Sequence, residues 1–314
     1  MLAALVAATT ATTAGTTPPA EAVPSASFFT RSYYMGDGSG AAARYLGCAN
    51  GDKQGRMTLF FGSPTAVSGT YGATLWGAPN RTTSQVAATV KEVARGYVMC
   101  RESSTYRLLI GVGTSNSSID GRSDTWLRGH GRAWATMVKN LSGWATAHYP
   151  DHVRIYAAWD AEPSWSRFSK AESWMHGYDD TTGARPLFAN FSADGCPRTT
   201  SNNGSCNNGW NQQGIWHLAW QHNPAMPFPQ IYATSGANAN QWQRIDEYGA
   251  SRGNGMFFTG AMSQWTACWQ AGEGCWGIDA TPRQSHDFLL WALNSREATR
   301  QPAIEAVTDI RWHS

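Results

Sequence analysis

Short apolar runs alternate with longer amphipathic stretches along most of the chain. Eight of these runs have the composition of β-strands, and helix-like stretches separate most of them. The predicted strands cover residues 28–35, 57–62, 107–112, 153–159, 186–191, 229–233, 256–260 and 307–312. Alternation of this kind is typical of βα units that build a parallel sheet.

The helix-like stretches carry apolar residues at helical spacing, as in Val86, Val90 and Val93 behind a predicted N-cap at Ser84. We expect helices at residues 41–46, 84–96, 125–148, 168–178, 212–221, 239–251 and 283–295. Eight βα units predict a closed (β/α)8 barrel (TIM barrel), and the 314 residues exceed the length of about 250 that this fold needs.

An open doubly wound sheet is the alternative architecture. It commonly carries a Gly-rich ligand-binding turn after its first strand. Residues 36–40 are Gly-rich, but they match neither the dinucleotide fingerprint nor a phosphate-binding loop. The barrel is therefore the preferred fold, as a single domain over residues 28–314.

The start of the chain and the cysteines predict secretion. Residues 1–27 combine an apolar stretch with Ala20-Glu21-Ala22, an A-x-A cleavage pattern, and are expected to be a signal peptide and flexible leader. No later stretch has the length of a membrane span. Six cysteines permit 15 pairings. Proximity along the chain favours the pairs Cys48–Cys100, Cys196–Cys206 and Cys268–Cys275. Metal ligation is the weaker alternative, because the sequence has no CxxC pair and no histidines at zinc spacing.

Composition separates the possible ligands. The net charge is +2 without a basic run, which gives no support to nucleic-acid binding. The chain contains 16 tryptophans, whose flat apolar faces suit sugar rings. Most tryptophans of a globular protein nevertheless belong to its core. We therefore expect a carbohydrate ligand, no cofactor and a monomer.

The fourth predicted strand runs directly into Asp160-Ala161-Glu162-Pro163. Residues two apart on a strand point to the same face, and their Cα atoms are about 6.6 Å apart. Paired carboxyls in a cleft hold different protonation states, which is what glycosidic bond cleavage requires. In the alternative interpretation Asp160 caps the next helix and Glu162 pairs with Arg167.

This motif resembles the end of strand four in glycoside hydrolase families 18 and 25. The resemblance implies that Glu162 is the general acid and that Asp160 orients a substrate acetamide or acts as the nucleophile. A tyrosine on strand six and a tryptophan at the end of strand eight have counterparts in Tyr232 and Trp312.

The chain departs from the family 18 pattern on two strands. Tyr156 and Ala158 occupy positions of strand four where family 18 has aspartates, and Ala233 follows Tyr232 where an aspartate is usual. The resemblance therefore implies a divergent or unnamed family of barrel glycosidases.

Further candidates for substrate contact follow other predicted strands or flank the motif. They are Asp37, Trp159, Trp165, Asn190, Asp194, Trp210, Tyr232, Gln264, Trp265 and Trp312. Asp37 and Asp194 alternatively shape turns, and Asp309 alternatively binds Arg311 or Arg154. The prediction is a secreted, extracellular glycoside hydrolase acting on polysaccharide. A non-catalytic carbohydrate-binding barrel and a secreted esterase or amidase are the alternatives, the last without the expected G-x-S-x-G elbow.

Overall fold

A computed structural model describes residues 29–77, 79–222, 225–272, 275 and 277–313. The predicted leader, residues 1–27, lies outside the described residues. The strands in chain order are β1 (Phe29–Met35), β2 (Gly55–Phe60), β3 (Ser63–Val67), β4 (Thr70–Thr74), β5 (Asn80–Thr82), β6 (Leu108–Ser115), β7 (Val153–Asp160), β8 (Leu187–Ala189), β9 (Ala225–Pro227), β10 (Ala261–Ser263) and β11 (Val307–His313). The α-helices are α1 (Gly40–Cys48), α2 (Thr83–Cys100), α3 (Asp124–His148), α4 (Phe168–Asp179), α5 (Gln212–Trp216), α6 (Ala237–Ala250), α7 (Trp265–Ala271) and α8 (Pro282–Asn294).

Eight parallel strands form one curled sheet, in the order β10-β11-β1-β2-β6-β7-β8-β9. The first and last strands of the chain are neighbours, with Phe29 opposite Val307. A doubly wound sheet instead reverses its order at a switch point. The fold is therefore α/β and TIM-barrel-like, and the doubly wound alternative does not hold.

The chain just after β9 contacts both edges of this sheet. Gln230 forms an isolated parallel bridge with Met262, and the Ile231 amide donates to the Met262 carbonyl over 2.8 Å. On the other side, the Gln230 amide donates to the Phe191 carbonyl over 3.0 Å. The segment that follows β9 thus lies between the ends of β8 and β10.

Two glycines on β6 make room for aromatic rings inside the curled sheet. A Cβ on Gly111 would lie 2.9 Å from Phe188, and one on Gly113 would lie 2.5 Å from Phe60. Phe60 and Phe188 belong to an inner apolar cluster. A larger cluster packs the outer faces of the strands against the helices.

Six of the eight predicted barrel strands lie within a few residues of their expected positions, and two are displaced. The sixth strand was expected at residues 229–233 and is β9 at Ala225–Pro227; the seventh was expected at residues 256–260 and is β10 at Ala261–Ser263. In the predicted seventh segment, the Phe258 amide donates to the Gln301 side chain over 3.0 Å. A distant side chain thus takes a backbone bond that a strand would have used.

Two elements were not predicted. Strands β3, β4 and β5 form a separate antiparallel sheet between β2 and α2. His130 on α3 fastens this sheet, because its Nε2 atom lies 2.7 Å from the Gly72 carbonyl. Helix α7 occupies the first part of a region that was expected to be a loop.

All three predicted disulfides are present: Cys48–Cys100, Cys196–Cys206 and Cys268–Cys275. The first joins the ends of α1 and α2, and each of the others closes a single loop region. Among the described helices, none combines the length and apolar character needed to cross a bilayer.

The packing around β6 predicts opposite effects for two glycine substitutions. Gly113→Ala places a Cβ against Phe60, so we expect the free energy of unfolding to fall by about 1–3 kcal/mol. Gly143→Ala, on an exposed face of α3 with no atom near the added Cβ, should raise it by about 0.5–1 kcal/mol. Urea denaturation measures both values. Equal effects would contradict the close packing at Gly113.

Candidate functional site

Asp160 and Glu162 meet at the carboxyl end of β7. Asp160 is the last residue of that strand. The Gln230 Nε2 atom lies 2.6 Å from Asp160 Oδ1 and 3.5 Å from Glu162 Oε1. The same atom lies 2.8 Å from the Asn190 carbonyl. One amide group therefore holds both carboxyls on the same side of the sheet.

Asn116, just beyond the end of β6, fixes the backbone of Glu162. Its side-chain oxygen accepts the Glu162 amide over 2.9 Å, and its Nδ2 donates to the Glu162 carbonyl over 2.9 Å. Nδ2 also lies 2.8 Å from Ser166 Oγ. Because Asn116 is fully buried, this double bond leaves the Glu162 backbone little freedom.

Gln264 extends the network from β10. Its Nε2 atom lies 2.8 Å from Gln230 Oε1, 2.6 Å from the Tyr34 hydroxyl and 3.2 Å from the Tyr232 hydroxyl. We call Asp160, Glu162, Gln230, Tyr232 and Gln264 the strand-end cluster. Its members follow three different strands, as expected where the carboxyl ends of parallel strands converge.

Burial controls the electrostatics of the two carboxyls. Removal from water raises the pKa of Asp160 to about 8, and the Asp194 carboxylate adds to this effect. Burial also raises the pKa of Glu162 well above its usual range, and Asp160 and Asp194 raise it further. The Gln230 bond opposes both shifts. Glu162 keeps partial contact with solvent, whereas Asp160 is 1% exposed.

Four aromatic rings stand beside the cluster, and we call Tyr34, Trp76, Trp165 and Trp312 the aromatic wall. The Trp76 ring centroid lies 5.2 Å from that of Tyr34, 6.0 Å from Trp312 and 6.1 Å from Trp165. Tyr34 and Trp312 are 4.7 Å apart. Tyr34 joins the wall to the cluster, since its hydroxyl bonds Gln264.

Two predicted ligand-contacting tryptophans belong to the core instead. Trp159 is completely buried and stacks on Trp174, with ring centroids 4.5 Å apart. Trp210 is 1% exposed, and its Nε1 donates to the Ser166 carbonyl over 2.8 Å. The alternation of side chains along β7 explains Trp159, because the neighbour of an inward-pointing Asp160 points outward.

Two other candidates lie near the site without joining the strand-end cluster. Asn190 is buried, donates to the Phe228 carbonyl over 2.9 Å and supports Gln230 through its own carbonyl. Asp194 influences both carboxyls and lines a neighbouring cavity of about 470 Å³ with Ser164 and Arg198.

Asp37, Trp265 and Asp309 have local partners. Asp37 accepts the Ser39 amide over 2.7 Å, so it forms the predicted turn before α1, and this bond lowers its pKa. Trp265 begins α7 and packs against Trp269. Asp309 accepts the Thr266 amide over 3.1 Å and lies 3.5 Å from Arg311.

The alternative role for the motif is not observed. Arg167 pairs with Asp120 over 3.5 Å rather than with Glu162, and Arg167, not Asp160, stands at the N-cap of α4. Sequence reasoning missed Asn116, Tyr34 and Trp76 as parts of the site. Asn116 and Tyr34 lie at the ends of predicted strands, which was a usable signal, whereas Trp76 arrives on an unpredicted sheet.

Within the described residues, no three His, Cys, Asp or Glu side chains are placed to hold a metal ion together. The strand-end cluster offers carboxyl, amide and phenol groups only. Its chemistry is therefore considered through proton transfer and hydrogen bonding by these side chains.

Comparisons with known proteins give one structural similarity. No family model and no curated protein matches the chain. Among solved structures, the chain is similar to the apo homocysteine methyltransferase from Escherichia coli, at 10% identity and a TM-score of 0.45, over 90% of each chain.

This finding contradicts the predicted glycoside hydrolase, because the matched structure belongs to a different enzyme class and no glycoside hydrolase family is shown. The predicted activity is wrong by this comparison and is not retained. At this identity and TM-score, the similarity assigns no activity to the present chain. The resemblance to families 18 and 25 remains a local one, in the Asp160–Glu162 motif.

The raised pKa of Asp160 predicts a pH-dependent stability. Between about 3.9, the unfolded value, and about 8, the folded protein holds a proton that the unfolded chain releases. The free energy of unfolding of the wild type should therefore fall as pH rises through this window. Asp160→Asn removes this titration, so we expect the variant to gain on the order of 2 kcal/mol relative to wild type between pH 4 and 8.

Thermal and urea denaturation across this pH range measures the difference. Asp151→Asn is the control, because Asp151 is exposed on the loop before β7. Its profile should run parallel to that of wild type. A parallel profile for Asp160→Asn as well would show that the Asp160 pKa is not raised.

Proposed function

We propose that the strand-end cluster is a general acid–base site acting on a bound organic ligand. The observation that carries this proposal is the shared Gln230 amide, 2.6 Å from Asp160 and 3.5 Å from Glu162, in a desolvated pocket. Catalytic acids and bases work best when their pKa lies near the operating pH. Raised carboxyl pKa values at the carboxyl ends of barrel strands fit that requirement.

The two carboxyls have different roles in this proposal. Glu162 keeps contact with solvent, and its backbone is clamped by Asn116, so it is the group that exchanges a proton with the ligand. Asp160 is buried beneath it and modulates its proton affinity through charge and through Gln230. Asn116 and Gln230 are positioning residues.

The aromatic wall supplies the binding surface for an apolar face of the ligand. Trp165 and Trp312 are partly exposed, and both lie about 6 Å from Trp76. Their rings stand at the same end of the sheet as Glu162. A ligand lying against them would have its polar edge turned to the carboxyls.

The proposal includes closure of the barrel and the compartment in which it works. Hydrogen bonds from residues 228–231 to both neighbouring strands support a closed ring of eight strands, with its mouth at the cluster. Three disulfides persist best in an oxidising compartment, which supports an extracellular location.

A substrate-independent assay tests the acid–base role. A panel of small organic compounds is incubated with the protein in D2O, and proton exchange or conversion is followed by NMR. Glu162→Gln should reduce any conversion by at least about 100-fold, because it removes the proton-transferring group. Asn116→Asp, which loses one donor to the Glu162 backbone, should lower the rate less and displace the pH profile.

The matched control is Asp246→Asn. Asp246 is also a buried carboxyl with a raised pKa, but it accepts the Met256 amide and belongs to α6. Its activity should equal that of wild type. Conversion by wild type that survives in Glu162→Gln would overturn the proposed role of Glu162.

A further inference from the structure

Negative groups dominate the surroundings of the site. The groups that change the pKa of Asp160 and Glu162 are the two carboxyls themselves, Asp194, Gln230 and Tyr232. In the described part of the chain, no lysine, arginine or histidine is among them. The carboxyl charges also raise the pKa of the Tyr34 and Tyr232 hydroxyls, which are buried beside them. Arg198 shares the adjacent cavity with Asp194 but does not shift either pKa.

A buried carboxyl oxygen of this site lacks a partner. Asp160 is 1% exposed, and its Oδ2 atom has no hydrogen-bond partner, while Oδ1 is bound to Gln230. An unsatisfied buried acceptor costs free energy, which a ligand group of positive charge or with a donor would recover. The cluster therefore has unused capacity for a positively charged group.

The aromatic wall has the chemistry that favours such a group. Aromatic faces carry negative partial charge and attract cations, with tryptophan the strongest. The Tyr34 and Trp76 rings meet at 70°, and the Trp76 and Trp312 rings at 85°. Rings set nearly at right angles form a corner with two differently oriented surfaces. A methylated ammonium group interacts with such surfaces without needing hydrogen-bond acceptors.

We propose that the ligand of this site is an organic cation of the quaternary ammonium class, held between the aromatic wall and the carboxyls of the strand-end cluster. This inference rests on the proposed function for its location and adds the chemical class of the ligand. A bound cation favours ionised carboxyls, so binding releases protons where the free site is protonated. By linkage, affinity rises as pH increases through the pKa values of the free carboxyls.

The experiment compares choline with 3,3-dimethyl-1-butanol, which has nearly the same shape but carries no charge. Isothermal titration calorimetry of the full chain at pH 6, 7 and 8, in buffers of different ionisation enthalpy, gives affinity and protons released. We expect choline to bind at least about tenfold more tightly than the neutral compound at pH 8. Its affinity should rise with pH, with net proton release.

Two variants separate the wall from the rest of the surface. Trp76→Leu should weaken choline binding by about tenfold. Trp144→Leu should leave it unchanged, because Trp144 lies on α3, where Lys91 and Arg95 already cover its ring. Circular dichroism confirms that both variants are folded.

Equal affinity for the two compounds, or no binding of choline, would overturn the proposed ligand class. Those outcomes leave the acid–base role intact, since that role is decided by the effect of Glu162→Gln on conversion. Conversely, normal choline binding by wild type with no conversion of any compound would retain the ligand class and reject the catalytic role.

Discussion

The free-energy cost of burying two carboxyls at the end of one strand is the constraint on which the site depends. Asp160 and Glu162 are held out of bulk water, which penalises their charged forms. The protein offsets this cost with amide donors rather than with cations: Gln230 reaches both carboxyls, and Gln264 fixes Gln230 in turn. The resulting site keeps protons at neutral pH, which a salt-bridged site would not do.

The fold supplies this arrangement through convergence of strand ends. The site draws residues from the ends of β6, β7, β9 and β10, and Tyr34 from β1. Small residues inside the sheet make that convergence possible, because Gly111 and Gly113 admit Phe188 and Phe60. The rings fill the interior below the site, so the carboxyls rest on apolar packing rather than on water.

The inserted sheet of β3, β4 and β5 shows how a peripheral element contributes to the site. His130 and Tyr71 anchor it to α3, with Tyr71 packed edge-on against Trp126. Trp76 follows β4 and thereby reaches the rings of Tyr34 and Trp312. A stable packing contact on the outside of the barrel thus places a ligand-binding ring at its mouth.

The sequence alone determined the α/β class, the positions of six barrel strands, the disulfide pairs and the location of Asp160 and Glu162 at a strand end. These features are encoded by local periodicity and by cysteine proximity. It misassigned Trp159 and Trp210, because a tryptophan next to a motif looks the same whether its ring faces the core or the cleft. Only the tertiary structure identified Asn116, Gln230 and Trp76 as parts of one site, since contacts between residues 46 to 230 positions apart leave no local pattern. It also decided that β10 begins at Ala261, where a bond from Gln301 to Phe258 outweighs strand propensity.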